Sequence, residues 1–414
     1  MSLKDAGYHK TILNNGIRIV SEKIPAVRSI SIGVWLTVGS RDETAANNGI
    51  SHFIEHMVFK GTSNRSAADI AQSLESVGGH LNAFTGKEQT CYFAHILDED
   101  LPIAVDVISD FLINSLFLDD EMEKEKRVIL EELNNIEETP EELIHEHFVE
   151  DLFPNHSLGL SIIGKRENIQ TFSVDDIHAY LNQNYTSDRI VIAAAGNVDH
   201  KTLVQLVKRY LGQTTTSSKH AYEKPCANSR EQHVIENGAI QAHVCLGTQS
   251  YSYKNNKKYA LLVLNTLLGS GMSSRLFQNI REKYGLAYSI YSFVDFLIDT
   301  GLFGVYIGTT KDNVKDSIEL IFKELKELKD TAVSDEELER TKSQLKGNLM
   351  LGLESTSSRM NRLAKMEIYL DEYVTLDDTL SEIEKVSTAD LLDVANELFD
   401  EKKIYTTILK PKDN

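Results

Sequence analysis

The stretch ISHFIEHMVFK, residues Ile50–Lys60, follows SISIGVWLTV at Ser29–Val38, and the two together set the plan of the first half of the chain. The earlier run reads as a strand. In the later one Ile50, Phe53, Ile54, Met57 and Val58 fall at i, i+3, i+4, i+7 and i+8, which makes one buried stripe along a helix. Asn47-Asn48 stand where they can cap its start, and Gly61 where it can end it.

Outward from this pair, Asn15-Gly16 marks a hairpin turn, because Gly there can supply φ > 0. Downstream lie a helix at Ser66–Val77, an extended stretch from His80 to Ile96, a helix around Leu101–Leu116 and long acidic helical segments. From Glu231 the order recurs. A turn at Asn237-Gly238 leads to the strand AIQAHVCLGT, a helix Lys258–Leu268, a short GSG loop and a helix SSRLFQNIREK. The strands LAYSIYSF and GLFGVYIGT then precede a helix at Asp312–Lys329. Between the halves, QTTTSSKHAYEKPCANS at Gln213–Ser229 is polar and reads as a surface linker. The sequence therefore divides into domains 1–212 and 230–414 joined by linker 213–229. Strands followed by runs of helices, repeated once, point to an α+β fold of two structurally repeated domains. Each is expected to be a mostly antiparallel sheet with helices over one face.

A length of 414 residues suits two domains of this size. Apolar residues at 41% and charged residues at 25% are the balance of a soluble globular protein. The formal charge of −19 argues against binding nucleic acid or an anionic membrane, since both require surplus Lys and Arg. No GxGxxG follows a strand and no GxxxxGK[ST] occurs, so dinucleotide and P-loop phosphate binding are unsupported. Cys91, Cys226 and Cys245 are odd in number, lack CxxC spacing and read as reduced. The first ten residues, MSLKDAGYHK, form no apolar targeting region, and no long uninterrupted apolar run occurs. The expected location is the cytoplasm.

The chemistry lies in His52-Phe53-Ile54-Glu55-His56. Two histidines four apart project from one helix face and can reach a single ion, and Glu55 beside them can take a proton from an activated water without itself ligating. A catalytic zinc takes three protein ligands, so one is still needed. The acidic helix Glu121–Glu138 offers it. Ile129, Leu133 and Ile136 form its buried seam, and Glu125 and Glu132, seven apart, share a neighbouring flank. Glu132 could ligate and Glu125 could orient a ligand. Read alone, the histidines could be ordinary surface residues and the glutamates a solvated face.

HxxEH is the inverzincin signature. Its run HFIEHMVFKGT, with GGHLNAFTGKEQTCYFAHI and EKRVILEELNNIEE, resembles the pitrilysin and mitochondrial processing peptidase family. The likeness extends through SDRIVIAAAGNVDH to SSRLFQNIREKYGLAYSIYSF in the second half. It implies one zinc per chain, with Glu132, rather than Glu131, as third ligand, Glu125 as the glutamate supporting a ligand, and Glu55 as general base. It also implies that Asn82 and Ala83 lie on an edge strand that binds the peptide backbone. Arg281 and Tyr288 match an Arg and a Tyr that position substrate. In the second half Asn265 and Thr266 stand where Glu55 and His56 stand in the first, and Thr341 and Asn348 where Glu125 and Glu132 stand, so the second domain is expected to hold no metal. Only Gly269-Ser270-Gly271 remains where the processing enzyme's non-catalytic subunit has a long glycine-rich loop. The chain thus resembles the catalytic subunit and the short bacterial homologues. These imply a zinc endopeptidase acting on unfolded or presequence-like peptides, and a homodimer in which Arg281 and Tyr288 serve either their own or the opposite chain's site. Two alternatives stand beside this: a non-catalytic scaffold subunit of the same fold, and a zinc hydrolase of a small molecule.

Overall fold

The computed structural model describes residues 7–215, 221–226 and 232–412, so much of the expected linker lies outside the described residues. The first sheet has six strands: β1 (Tyr8–Ile12), β2 (Arg18–Lys23), β3 (Ser29–Leu36), β4 (His80–Thr85), β5 (Thr90–Leu97) and β6 (Ile190–Gly196), in the order β1-β2-β6-β3-β5-β4. The expected hairpin joins β1 to β2, and Gly16 takes the left-handed conformation, φ 92°, that the turn requires. β2 pairs with β6 in parallel, while the other neighbours are antiparallel.

The second sheet comprises β7 (Gln232–Asn237), β8 (Ala242–Ser250), β9 (Ala287–Phe296), β10 (Gly301–Thr309) and β11 (Tyr405–Pro411), in the order β7-β11-β8-β10-β9. Without β1 this is the first sheet's order again: β7 replaces β2, β11 replaces β6, β8 replaces β3, β10 replaces β5 and β9 replaces β4. The single parallel pair recurs as well, between β7 and β11. The architecture is the α+β repeat expected from the sequence.

The coverage of the sheets differs from the expectation of one face each. On one side of the second sheet, Val244, Leu246, Val305 and Ile307 pack with the helices Lys258–Gly269, Val314–Asp330 and Thr388–Leu398. The alternate residues Cys245 and Tyr306 face the other side, where Ile144, Phe148 and Leu152 of the helix Pro140–Leu152 cover them. All nine residues of β10 are accordingly buried, the pattern of a strand with two apolar faces.

The chain falls into two compact units, and they are not contiguous in sequence. The first combines Met1–Asn134 and Leu160–Tyr222 with Gly352–Tyr373, and the second combines Asn135–Gly159 with Glu223–Leu351 and Val374–Asn414. Helix Thr356–Tyr369 from the second half packs on β2, β3 and β6, with Met360, Leu363 and Ala364 buried and the hydroxyls of Ser31 and Thr356 2.9 Å apart. Gly33 permits the close approach, since a Cβ there would lie 3.0 Å from the Met360 sulfur. Helix Pro140–Leu152 from the first half covers the second sheet in return. The division into 1–212 and 230–414 does not anticipate this exchange.

The fragment 1–212 alone would leave the face beneath Met360 and Leu363 open to water. It is expected to bind a hydrophobic dye such as anilinonaphthalene sulfonate and to melt without a cooperative transition. A sharp calorimetric transition would show the exchanged helix to be dispensable.

Candidate metal centre

The motif helix is short, Ile50–Met57, and continues as a 3-10 turn over Val58–Lys60. Asn47 and Asn48 do not cap it. Its N-cap is Gly49, at φ 100°, where a Cβ would come within 2.8 Å of the Ile163 carbonyl oxygen. The capping acceptor is the buried carboxylate of Glu43, which receives the Gly49 N–H at 2.7 Å, the Ser51 N–H at 2.8 Å and the Asn48 side-chain amide at 2.9 Å. Burial raises the Glu43 pKa despite these donors. Phe53, Ile54 and Met57 are fully enclosed, so packing fixes the rotation of the helix.

That rotation sends His52 and His56 to one side, with ring centroids 4.7 Å apart. Helix Asp119–Glu138 brings Glu132 to them: Glu132 Oε1 is 3.7 Å from His52 Nε2, and Oε2 is 3.6 Å from His56 Nε2. Donor atoms of the three lie within 4.8 Å of one another, the one His/Cys/Asp/Glu group of this kind among the described residues. These separations exceed a hydrogen bond but suit a single ion, because ligand bonds of about 2.1 Å at tetrahedral angles set donors about 3.4 Å apart. His52 Nδ1 is buried and makes no hydrogen bond among the described residues. Glu132 stays 44% exposed, so the centre is open on that side. Two imidazoles and a carboxylate form a donor set that fits a divalent ion with a vacant coordination position.

Glu125 sits behind His56. Its side chain is 5% exposed, and its Oε2 lies 3.1 Å from His56 Nδ1, which leaves Nε2 turned towards Glu132. Lys60 Nζ reaches the other oxygen at 2.6 Å, completing a chain from ammonium to carboxylate to imidazole. Burial would favour neutral Glu125, but His56 and Lys60 outweigh it and hold the carboxyl below its ordinary value. Burial likewise opposes a charged His56, yet Glu125 and Glu132 push its pKa up to about 9. His52, buried and beside that cation, is driven down to about 4. Glu132 is lowered chiefly by its contact with His56. For Glu55 burial dominates and raises the pKa, against the hydroxyl of Thr85, which donates to Oε2 at 2.5 Å.

Asn82 and Ala83 lie on β4, an edge strand that among the described residues pairs with β5 alone and packs against the motif helix. The Asn82 side-chain oxygen accepts the Ala83 N–H at 2.8 Å. Arg281 and Tyr288 belong to the second unit and form their own pair. Arg281 emerges from a π-helical turn, Phe277–Glu282, with its guanidinium 4.6 Å from the Phe277 ring and 5.4 Å from that of Tyr288, itself 80% exposed. The Thr266 and Thr341 hydroxyls turn back onto carbonyls of their own helices.

The family model described as insulinase, peptidase family M16, matches residues 18–166, and a second, described as the M16 inactive domain, matches residues 171–345. The chain belongs to the M16 peptidase family. Among M16 relatives, YmxG of Bacillus subtilis, described as an uncharacterized zinc protease, is 42% identical and aligns over 94% of each chain. A Streptomyces coelicolor protein of the same description is 39% identical over 98% of this chain and 90% of its own. Of solved structures, a protease from Helicobacter pylori superposes with a TM-score of 0.90 at 25% identity, covering 98% of this chain and 99% of that one. An M16 inactive-domain protein from Pseudomonas fluorescens gives 0.91 at 18% identity over 98% of both chains and shares the fold. The resemblance drawn from HFIEHMVFKGT is therefore borne out.

Three residues at this M16 centre escaped the sequence reading: Glu43, Lys60 and Thr85. Lys60 alone left a signal, four positions after His56 and so on the same helical side.

Because metal binding needs a neutral His56, a proton must leave that ring below about pH 9. Uptake of a divalent ion is expected to release about one proton near neutrality, with apparent affinity rising up to about tenfold per pH unit and levelling above pH 9. Calorimetry in buffers of different ionisation enthalpy measures this, and affinity independent of pH would refute it. Glu125→Ala should weaken metal binding by roughly 10–100-fold in chelator competition.

Proposed function

We propose that this chain is a zinc-dependent endopeptidase hydrolysing unfolded, extended peptides such as presequence-like segments. One observation carries the reading: His52, His56 and Glu132 converge on a single point while Glu55 stands beside them without ligating. The descriptions of relatives as zinc proteases, and a donor set of two imidazoles and one carboxylate, favour zinc, one ion per chain. Bound there, zinc would supply Lewis acidity, making water a better nucleophile and polarising the peptide carbonyl.

The protein's own residues do the rest. Glu55 takes the proton of the attacking water and returns it to the departing amine. Its burial, which raises its pKa, suits a group that must gain and then lose a proton near neutrality. Glu125 and Lys60 hold the His56 ring with Nε2 towards Glu132, where it would be available to an ion. The free edge of β4 at Asn82 and Ala83 offers main-chain pairing, which binds an extended peptide without demanding a sequence. That edge beside the motif helix favours a peptide over a small molecule. The full set of His52, Glu55, His56 and Glu132 favours an enzyme over a scaffold subunit. Arg281, held between two rings, and Tyr288 are assigned to substrate positioning in a cytoplasmic homodimer. In support of that setting, the cysteines are free, and no helix among the described residues is long and apolar enough to cross a membrane.

Glu55→Gln tests the reading. Zinc content should stay at one per chain while the rate on a mixed peptide pool, read by mass spectrometry, falls about 10²–10⁴-fold. Cleavage at the wild-type rate with zinc bound would remove Glu55 from the mechanism.

A further inference from the structure

Thr85 closes β4, two residues beyond Ala83 and therefore on the same face of the strand. Its hydroxyl makes the one hydrogen bond that the Glu55 side chain forms among the described residues, to Oε2 at 2.5 Å. Oε1 has no such partner. An unrestrained glutamate side chain turns about three bonds, and a base that must meet one water needs a single orientation.

We infer that Thr85 is a positioning residue for Glu55, pinning one carboxylate oxygen so that the other is presented to the attacking water. Threonine suits the task because its branched Cβ restricts χ1, and the direction of the hydroxyl is set by the strand backbone. Asn82 and Ala83 belong to that same backbone, so a peptide added along β4 is registered against the strand that aims the base. Asn82 and Ala83 would then govern where the peptide lies, and Thr85 how the base meets it. The catalytic part of this inference rests on the peptidase reading above, whereas the contact between Thr85 and Glu55 does not.

Thr85→Val removes the hydroxyl at nearly constant volume, and Thr85→Ser keeps the hydroxyl while losing the methyl. Valine should lower kcat by about 10–100-fold with KM within about twofold and zinc content unchanged, and serine should restore kcat to within about threefold of wild type. Valine with wild-type kcat, or serine as impaired as valine, would overturn the inference. So would a loss confined to KM or to thermal stability, which is what a purely structural role predicts. A second arm uses metal-free protein and needs no activity. The urea midpoints of Thr85→Val, Glu55→Ala and the double variant should show a combined shift smaller than the sum of the single shifts, and strict additivity would refute the contact. If the wild type cleaves no peptide, the peptidase reading fails while this arm still decides the contact.

Discussion

The centre depends on holding a very short helix still. Ile50–Met57 has only about two turns, too few to be stable in isolation, yet both imidazoles must leave it at fixed angles. Glu43 accepts the otherwise unpaired N–H groups at its start, and the enclosure of Phe53, Ile54 and Met57 removes rotation about its axis. A carboxylate buried at a helix start is costly unless hydrogen-bonded, and its interaction with the helix dipole is favourable. The cap and the apolar stripe therefore act together: one fixes where the helix begins and the other which way it faces.

Around that helix the charges are arranged to pull in opposite directions. His56 lies between two carboxylates and is a strong proton acceptor, while His52 lacks a partner on Nδ1 and is kept neutral by burial. The two histidines are chemically unequal even though the motif makes them look equivalent. Lys60 limits this inequality by taking up part of the negative charge on Glu125.

What could be read from the sequence follows the range of the interactions involved. His52, Glu55 and His56 are legible because helical periodicity relates neighbours a turn apart. Glu125 and Glu132 stand on a distant helix: their seven-residue spacing beside its buried seam made them candidates, and the family resemblance raised them above a solvated acidic face. Glu43 and Thr85 were invisible because a cap contributed from a preceding loop, or a hydroxyl from an adjacent strand, leaves no periodic trace. The repeated α+β plan was legible, since strand and helix patterns are local. The exchange of helices was not: the apolar residues of Pro140–Leu152 and Thr356–Tyr369 show that a face is buried without saying which sheet it covers.

The exchange also governs when the protein can fold during synthesis. All the residues of the candidate metal centre have been made once Glu132 is added, but the sheet beneath them still lacks β6, and the helix that covers that sheet ends only at Tyr369. The second sheet must wait for β11, the last of its strands in chain order, which inserts between β7 and β8. At about 5–20 residues per second, the nascent N-terminal half spends on the order of ten seconds or more with an apolar sheet face uncovered. The covering of the first sheet is therefore completed only after most of the second half has been made, so the first half cannot mature as an independent vectorial unit.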